Sequence, residues 1–255
     1  MNDYYVKVAN ASKSFLNNSN SYSVFENVNF SLTKGEFLCI MGSSGCGKST
    51  LLRCIGGFEP LNSGEIFIDA KRIKNPGTHA SMVFQTFDQL FPWKTAVQNI
   101  LFSLQVVHSK NSVKENMEIA KSYLALVGLE KYASYYPYQL SGGMKQRVAI
   151  ARSLSINPSV LLMDEPFASL DADTRTVLQK EFLRIWEKSN STVLFVTHSI
   201  IEAITMGTKF LVLGKEDPAK YTILENKVEP VETGYRTPES KGYSDCWSIL
   251  NKMIR

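Results

Sequence analysis

The sequence predicts an α/β protein built on a mostly parallel sheet, and three observations carry that expectation. Short apolar runs recur along the chain, each ending in a loop that holds Gly, Ser or Gln, and most lead into a helical pattern. One run, FLCIM, passes directly into the glycine-rich stretch GSSGCGKST (residues 42–50), which itself opens a helix. Another, VLLM (residues 160–163), ends on two carboxylates, Asp164 and Glu165.

From the N-terminus, residues 4–8, 24–32 and 65–68 alternate apolar with polar side chains between Asn, Ser and Gly turns. That is the period of antiparallel strands, so a small β-subdomain is expected beside the sheet. The parallel strands are placed at residues 36–41, 81–84, 160–163, 192–196 and 210–213. Between residues 88 and 155 the rhythm changes. Val97, Ile100, Leu101 and Leu104 fall at helical spacing, as do Met117, Ala120, Leu124 and Val127, with no strand between them. A helical insertion is expected there. Residues 1–214 then form the main domain and residues 215–255 a short C-terminal extension, balanced in charge.

At 255 residues, 44% hydrophobic and 20% charged, the chain has the composition of a soluble globular protein with one large core. A net charge of +4 is too mild for a nucleic-acid binder, though it suits a membrane surface. The N-terminal residues lack the pattern of a secretory signal. No apolar run approaches the roughly 18 residues needed to span a bilayer, so work at a membrane would require another chain to hold this one there. Cys39, Cys46, Cys54 and Cys246 have no paired spacing, which fits reduced thiols better than disulfides or zinc.

The stretch from Gly42 to Thr50 matches G-x-x-x-x-G-K-[ST] in the setting that pattern requires, after a strand and at the start of a helix. Backbone N–H groups freed by the glycines can wrap a phosphate, and the helix dipole favours the anion. Lys48 would reach the β- and γ-phosphates, and Ser49 would coordinate Mg²⁺. Asp164 leaves its strand at the carboxyl end, where such a sheet places ligands, and is a second candidate for Mg²⁺. Glu165, one residue on, is the candidate to deprotonate an attacking water. Cys46 stands at a helix N-terminus beside Lys48, an environment that can lower a thiol pKa, although a small residue tolerated at a variable motif position is the favoured reading.

With this loop, LSGGMKQR (residues 140–147) and LLMDEP in that order, the chain resembles the ATP-binding cassette (ABC) ATPases, a branch of the P-loop NTPases. The resemblance implies ATP and Mg²⁺ as ligands, with Gly42, Ser43, Ser44, Gly45, Cys46, Gly47, Lys48, Ser49 and Thr50 around the phosphates. It implies that Gln85 senses Mg²⁺ and the attacking water, and that His198 contacts the γ-phosphate. Phe15 would stack on adenine, worth about 1 to 3 kcal/mol by analogy with base stacking, although Tyr22 or Phe25 could fill that place. Ser199 stands where the family usually has Asp, and serine can cap the following helix equally well. In the family two cassettes close head to tail. Ser141, Gly142 and Gly143 of one copy would then face the ATP of the other, and Asp171 would lie in the loop that crosses between them.

The segment LFPWKTAVQNI is similar to the corresponding segment of ATPase subunits from nitrate, sulfonate and taurine importers, with Phe91, Pro92 and Trp93 at the centre of the match. That implies a membrane permease as partner, a solute-binding protein as an indirect one, no nucleic acid, and a place on the cytoplasmic face of the membrane. An exporter or cell-division ATPase is the alternative. A mechanical ABC protein is less favoured, because the chain has neither a long coiled-coil insertion nor a second cassette. The solute is not encoded in such a subunit.

Overall fold

The computed structural model describes residues 4–17, 20–85, 89–214, 216–231 and 235–254. Residue 88, the expected start of the helical insertion, and residue 215, the expected start of the extension, lie outside them, as do residues 86 and 87.

Two sheets form the base. The first is antiparallel, with β1 (Val6–Asn17), β2 (Asn20–Leu32), β4 (Ser63–Ile68) and β5 (Lys71–Arg72) in the order β2-β1-β4-β5. Sequence periodicity places a strand at residues 4–8, but β1 continues to Asn17 through register shifts after Val8. Asn10 absorbs the irregularity in the left-handed region (φ 50°), which Asn tolerates, and its N–H donates to Asn29 Oδ1 at 2.9 Å. The extra length carries Phe15 opposite Tyr22 at the far end of the ladder.

The second sheet holds β3 (Phe37–Met41), β6 (Ser81–Val83), β7 (Val160–Asp164), β8 (Thr192–Val196), β9 (Lys209–Leu213) and β10 (Tyr221–Glu225), in the order β10-β9-β3-β8-β7-β6. Only the β9–β10 pair is antiparallel. Because β3, β7 and β8 are buried on both faces, they read as unbroken apolar runs. Alternate residues feed two cores. Leu38 and Ile40 pack with α1 (Lys48–Ile55) and the antiparallel sheet, while Phe37, Cys39 and Met41 face the remaining helices.

Between β6 and β7 lie α2 (Ala96–Val107), α3 (Val113–Leu126) and α4 (Gly142–Ser155), packed on one another. Thr95 and Ser112 start α2 and α3 with capping boxes, closed by Gln98 and Glu115. The apolar positions expected at helical spacing all pack into one core. After β7 come α5 (Ala172–Ser189), α6 (Ile200–Met206) and α7 (Tyr243–Ile254).

The sequence reading has no strand after residue 213, yet β10 extends the sheet edge, and α7 packs on α6 with Tyr243 and Leu250 buried. This segment also reaches the antiparallel sheet. Tyr221 Oη accepts the Asn29 N–H at 3.0 Å, and the Pro218 carbonyl accepts the Glu26 N–H at 2.8 Å.

Phe37 centres an aromatic cluster, its ring 5.3 Å from Trp186, 5.8 Å from Phe195 and 6.0 Å from Phe182. Phe37→Ala should destabilise the chain by about 3 to 5 kcal/mol, read as a lower midpoint in urea unfolding.

Candidate active site

The loops after β3, β8, β7 and β6 leave the same edge of the parallel sheet side by side, since those strands are adjacent in that order. Ligands of such sheets bind at this carboxyl edge. The loop after β3 holds Gly42 through Gly47 and delivers α1. Two of its glycines are required by space. A Cβ on Gly42 would lie 2.6 Å from the Leu213 carbonyl oxygen, and one on Gly47, at φ 94°, would lie 2.5 Å from a Val24 methyl.

Among the described residues, α2 to α6 each start under a capping side chain: Thr95, Ser112, Ser141, Asp171 and Ser199. Gly47 gives α1 none. Its first-turn N–H groups are therefore left for a ligand. Lys48 is buried and donates to the carbonyls of Gly42 and Ser43, both at 2.9 Å, so its ammonium is held beside the loop.

A cavity of about 560 Å³ opens over this helix start, lined among others by Phe15, Tyr22, Lys48, Gln85, Glu165 and His198. Ser44, Gly45, Gly47, Ser49 and Thr50 also border it. Both candidate stacking rings are therefore present, 43% (Phe15) and 59% (Tyr22) exposed, whereas Phe25 is 1% exposed and belongs to the core. Lys13 Nζ lies 4.7 Å from the centre of the Phe15 ring.

Asp164 ends β7 beneath the loop and accepts a hydrogen bond from Ser49 Oγ at 2.8 Å. Its other oxygen, Oδ2, is buried without a hydrogen-bond partner. Burial pushes the Asp164 carboxyl above the usual carboxylate range, against the Ser49 hydrogen bond and the Arg53 charge. A hydroxyl and an unsatisfied carboxylate oxygen beside a phosphate loop are the donor set of a Mg²⁺ site, where one or two protein oxygens suffice and phosphates and water complete the shell. The residues fit that ion.

Glu165 follows in the left-handed region (φ 47°), anchored by its N–H to the Val196 carbonyl at 3.0 Å. That backbone costs about 1 to 2 kcal/mol in a residue with a Cβ. It turns the side chain toward two partners from other loops. Gln85 Nε2 donates to Glu165 Oε2 at 3.3 Å, and His198 Nδ1 lies 3.2 Å from the same oxygen. Ser199 caps α6 by accepting the Glu202 N–H at 3.3 Å, as expected for the position where the family usually has Asp.

Ser141, Gly142, Gly143 and Asp171 do not line the cavity. Ser141 Oγ accepts the Met144 N–H at 3.3 Å, which leaves its O–H as a donor. Gly143 lies against the loop before α5, where an added Cβ would sit 3.6 Å from the Ser169 carbonyl. Asp171 Oδ1 caps α5 through the Thr174 N–H at 2.9 Å. Trp93 is 69% exposed, which removes it from the subdomain core. At Cys46 burial pushes the thiol pKa up against the charge of Lys48, whose Nζ is 3.9 Å from the sulfur, in keeping with a small packing residue.

The fold and this site define an ATP-binding cassette of the P-loop type. The chain belongs to the ABC transporter family, whose profile matches residues 25–168. It is 44% identical to the aliphatic sulfonates import ATP-binding protein SsuB of Bacillus cereus, over 98% of this chain and 94% of that relative. It is 45% identical to the nitrate import ATP-binding protein NrtD of Synechococcus elongatus, over 79% and 73%. Among solved structures it is similar to a dimeric post-hydrolysis ATP-binding cassette bound to ADP and Pi, with a TM-score of 0.77 and 32% identity over 87% of this chain and 99% of that one.

Asp164 also sets a stability prediction. Its raised pKa means that the folded chain holds the proton more tightly than the unfolded one. The stability is then present at low pH and lost as pH rises through the raised value. Asp164→Asn should therefore raise the urea midpoint of the nucleotide-free chain at neutral pH and flatten its pH dependence, while weakening Mg²⁺-dependent nucleotide binding.

Proposed function

We propose that this chain binds Mg·ATP in the cavity above α1 and hydrolyses it as a homodimer, powering solute import through a membrane permease at the cytoplasmic face. The observation that carries the reading is the convergence of Glu165, Gln85 and His198, from three loops, beside the uncapped start of α1. The N–H groups of Lys48, Ser49 and Thr50 would bind the β-phosphate, and Lys48 would exchange its two carbonyl partners for phosphate oxygens. Ser49 and Asp164 would hold Mg²⁺, which would supply charge neutralisation on the phosphates. Phe15, with Tyr22 as its cross-strand neighbour, would stack on adenine. Glu165 takes the proton of the attacking water, oriented by the Gln85 amide and the His198 ring.

Ser141, Gly142, Gly143 and Asp171 lie outside the cavity, which supports a role for them at the ATP of a second copy. The Ser141 hydroxyl still has a proton to donate, and the N-terminus of α4 adds the favourable end of its dipole. In this reading residues 1–214 are the cassette, residues 88–155 the helical part that meets the permease, and residues 215–255 an extension. The exposed Trp93, its ring tilted against Phe91 at 5.6 Å, suits an anchor for a short permease segment. The sulfonate and nitrate import relatives support import over export.

Glu165→Gln should keep ATP affinity while hydrolysis falls about 10²- to 10⁴-fold, measured as phosphate release. Near-normal turnover would remove Glu165 from the role. Lys48→Ala and Ser141→Arg chains should each fail to dimerise with ATP, and their mixture should recover dimers, because one mixed site is intact. Light scattering reads the result, and full ATP-dependent dimerisation of Ser141→Arg alone would overturn the head-to-tail arrangement.

A further inference from the structure

The geometry points to Glu202 as a positioning residue that ties the loop at residues 169–171 to His198. The inference rests on the reading above that His198 and Glu165 serve hydrolysis. Glu202 lies in the first turn of α6, 7% exposed. A carboxylate this deep is costly unless it is paired and hydrogen-bonded. Here each oxygen has a separate task.

Oε2 accepts the Thr197 hydroxyl at 2.6 Å, and Thr197 Oγ1 in turn accepts the Ser199 N–H at 3.0 Å. Ser199 Oγ accepts the backbone N–H of Glu202 itself at 3.3 Å. Both neighbours of His198 are therefore bonded to Glu202, one through its side chain and one through its main chain. The histidine between them is largely exposed, and its ring reaches Glu165 across 3.2 Å. The position of that ring is fixed by its flanks rather than by burial.

Oε1 faces α5. It accepts Gln179 Nε2 at 3.2 Å and lies 3.9 Å from Arg175 Nε. Arg175 Nη2 donates to the Leu170 carbonyl at 2.8 Å, so the same guanidinium holds the loop that precedes α5. Its Nε is buried with no hydrogen-bond partner, and a small cavity of about 40 Å³ lies between Arg175, Glu202, His198 and Glu165. A shift of the loop by about 1 Å would bring Nε into hydrogen-bond range of Oε1. Movement at residues 169–171 thus reaches His198 through Arg175, Glu202 and Thr197 without passing through the nucleotide. Burial pushes the Glu202 carboxyl up, opposed by the Thr197 hydrogen bond and the Arg175 charge.

The chain has three histidines, His79, His108 and His198, so ¹⁵N-histidine labelling of the full-length protein reads each ring separately. In Glu202→Gln, Thr197→Val and Arg175→Met, the ring nitrogen signals of His198 should shift while those of His79 and His108 stay in place. In the same variants kcat should fall about 3- to 30-fold, with KM for ATP within about twofold. Thr197→Val removes one hydroxyl and leaves Gln179 and Arg175 at Oε1, so it keeps the test open if Glu202→Gln fails to fold. An unmoved His198 in Thr197→Val, or equal shifts at all three histidines, would overturn the inference. A shifted His198 with unchanged kcat would uphold the link while removing His198 from hydrolysis.

Discussion

The first turn of α1 is a set of hydrogen-bond donors that no capping side chain satisfies. Every other helix from α2 to α6 meets this need with an oxygen of its own sequence. In α1 the residue at that place is Gly47, and the first-turn donors face the cavity instead. The parallel sheet then matters mainly as a bracket. Its strand order lines up the loops that carry His198, Glu165 and Gln85 beside this helix start. The unpaired Asp164 oxygen beneath the loop is the same kind of debt, with the opposite sign. An anion answers the first and a cation the second, so a nucleotide with its metal answers both.

Two buried carboxylates illustrate different solutions to one problem. Asp164 and Glu202 both lose hydration, and both have raised pKa values from that cause. Asp164 keeps an oxygen unpaired, which suits a group awaiting a ligand. Glu202 has both oxygens engaged, by Thr197 and by Gln179 with Arg175 nearby, which suits a group that holds other residues still. The chemistry of the residue type is shared, and the surrounding donors decide its use.

Most of the parallel sheet was legible because strands buried on both faces must be apolar at every position, as β3, β7 and β8 are. The phosphate loop was legible because its glycines, Lys48 and Ser49 are needed at fixed spacing in one short stretch. Other features had no such local signature. The length of β1 depends on an irregularity at Asn10 that periodicity reads as an end. β10 is an edge strand with a half-exposed pattern in a charged segment. At Cys46 adjacency to Lys48 is visible in sequence, whereas the burial that outweighs it is not. Glu202 reads as an ordinary helix residue until Arg175 and Gln179, far away in the chain, are seen against it.

The segment after β9 has a mechanical consequence. By pairing β10 with β9 and bonding Tyr221 and Pro218 to β2, it laces the two sheets into one frame. The helical insertion meets that frame at β6, where α4 packs on the strand and Gln146 Nε2 donates to the Phe84 carbonyl at 3.2 Å. A load on the insertion is therefore delivered to the rigid frame at Phe84, just past the end of β6 and next to Gln85.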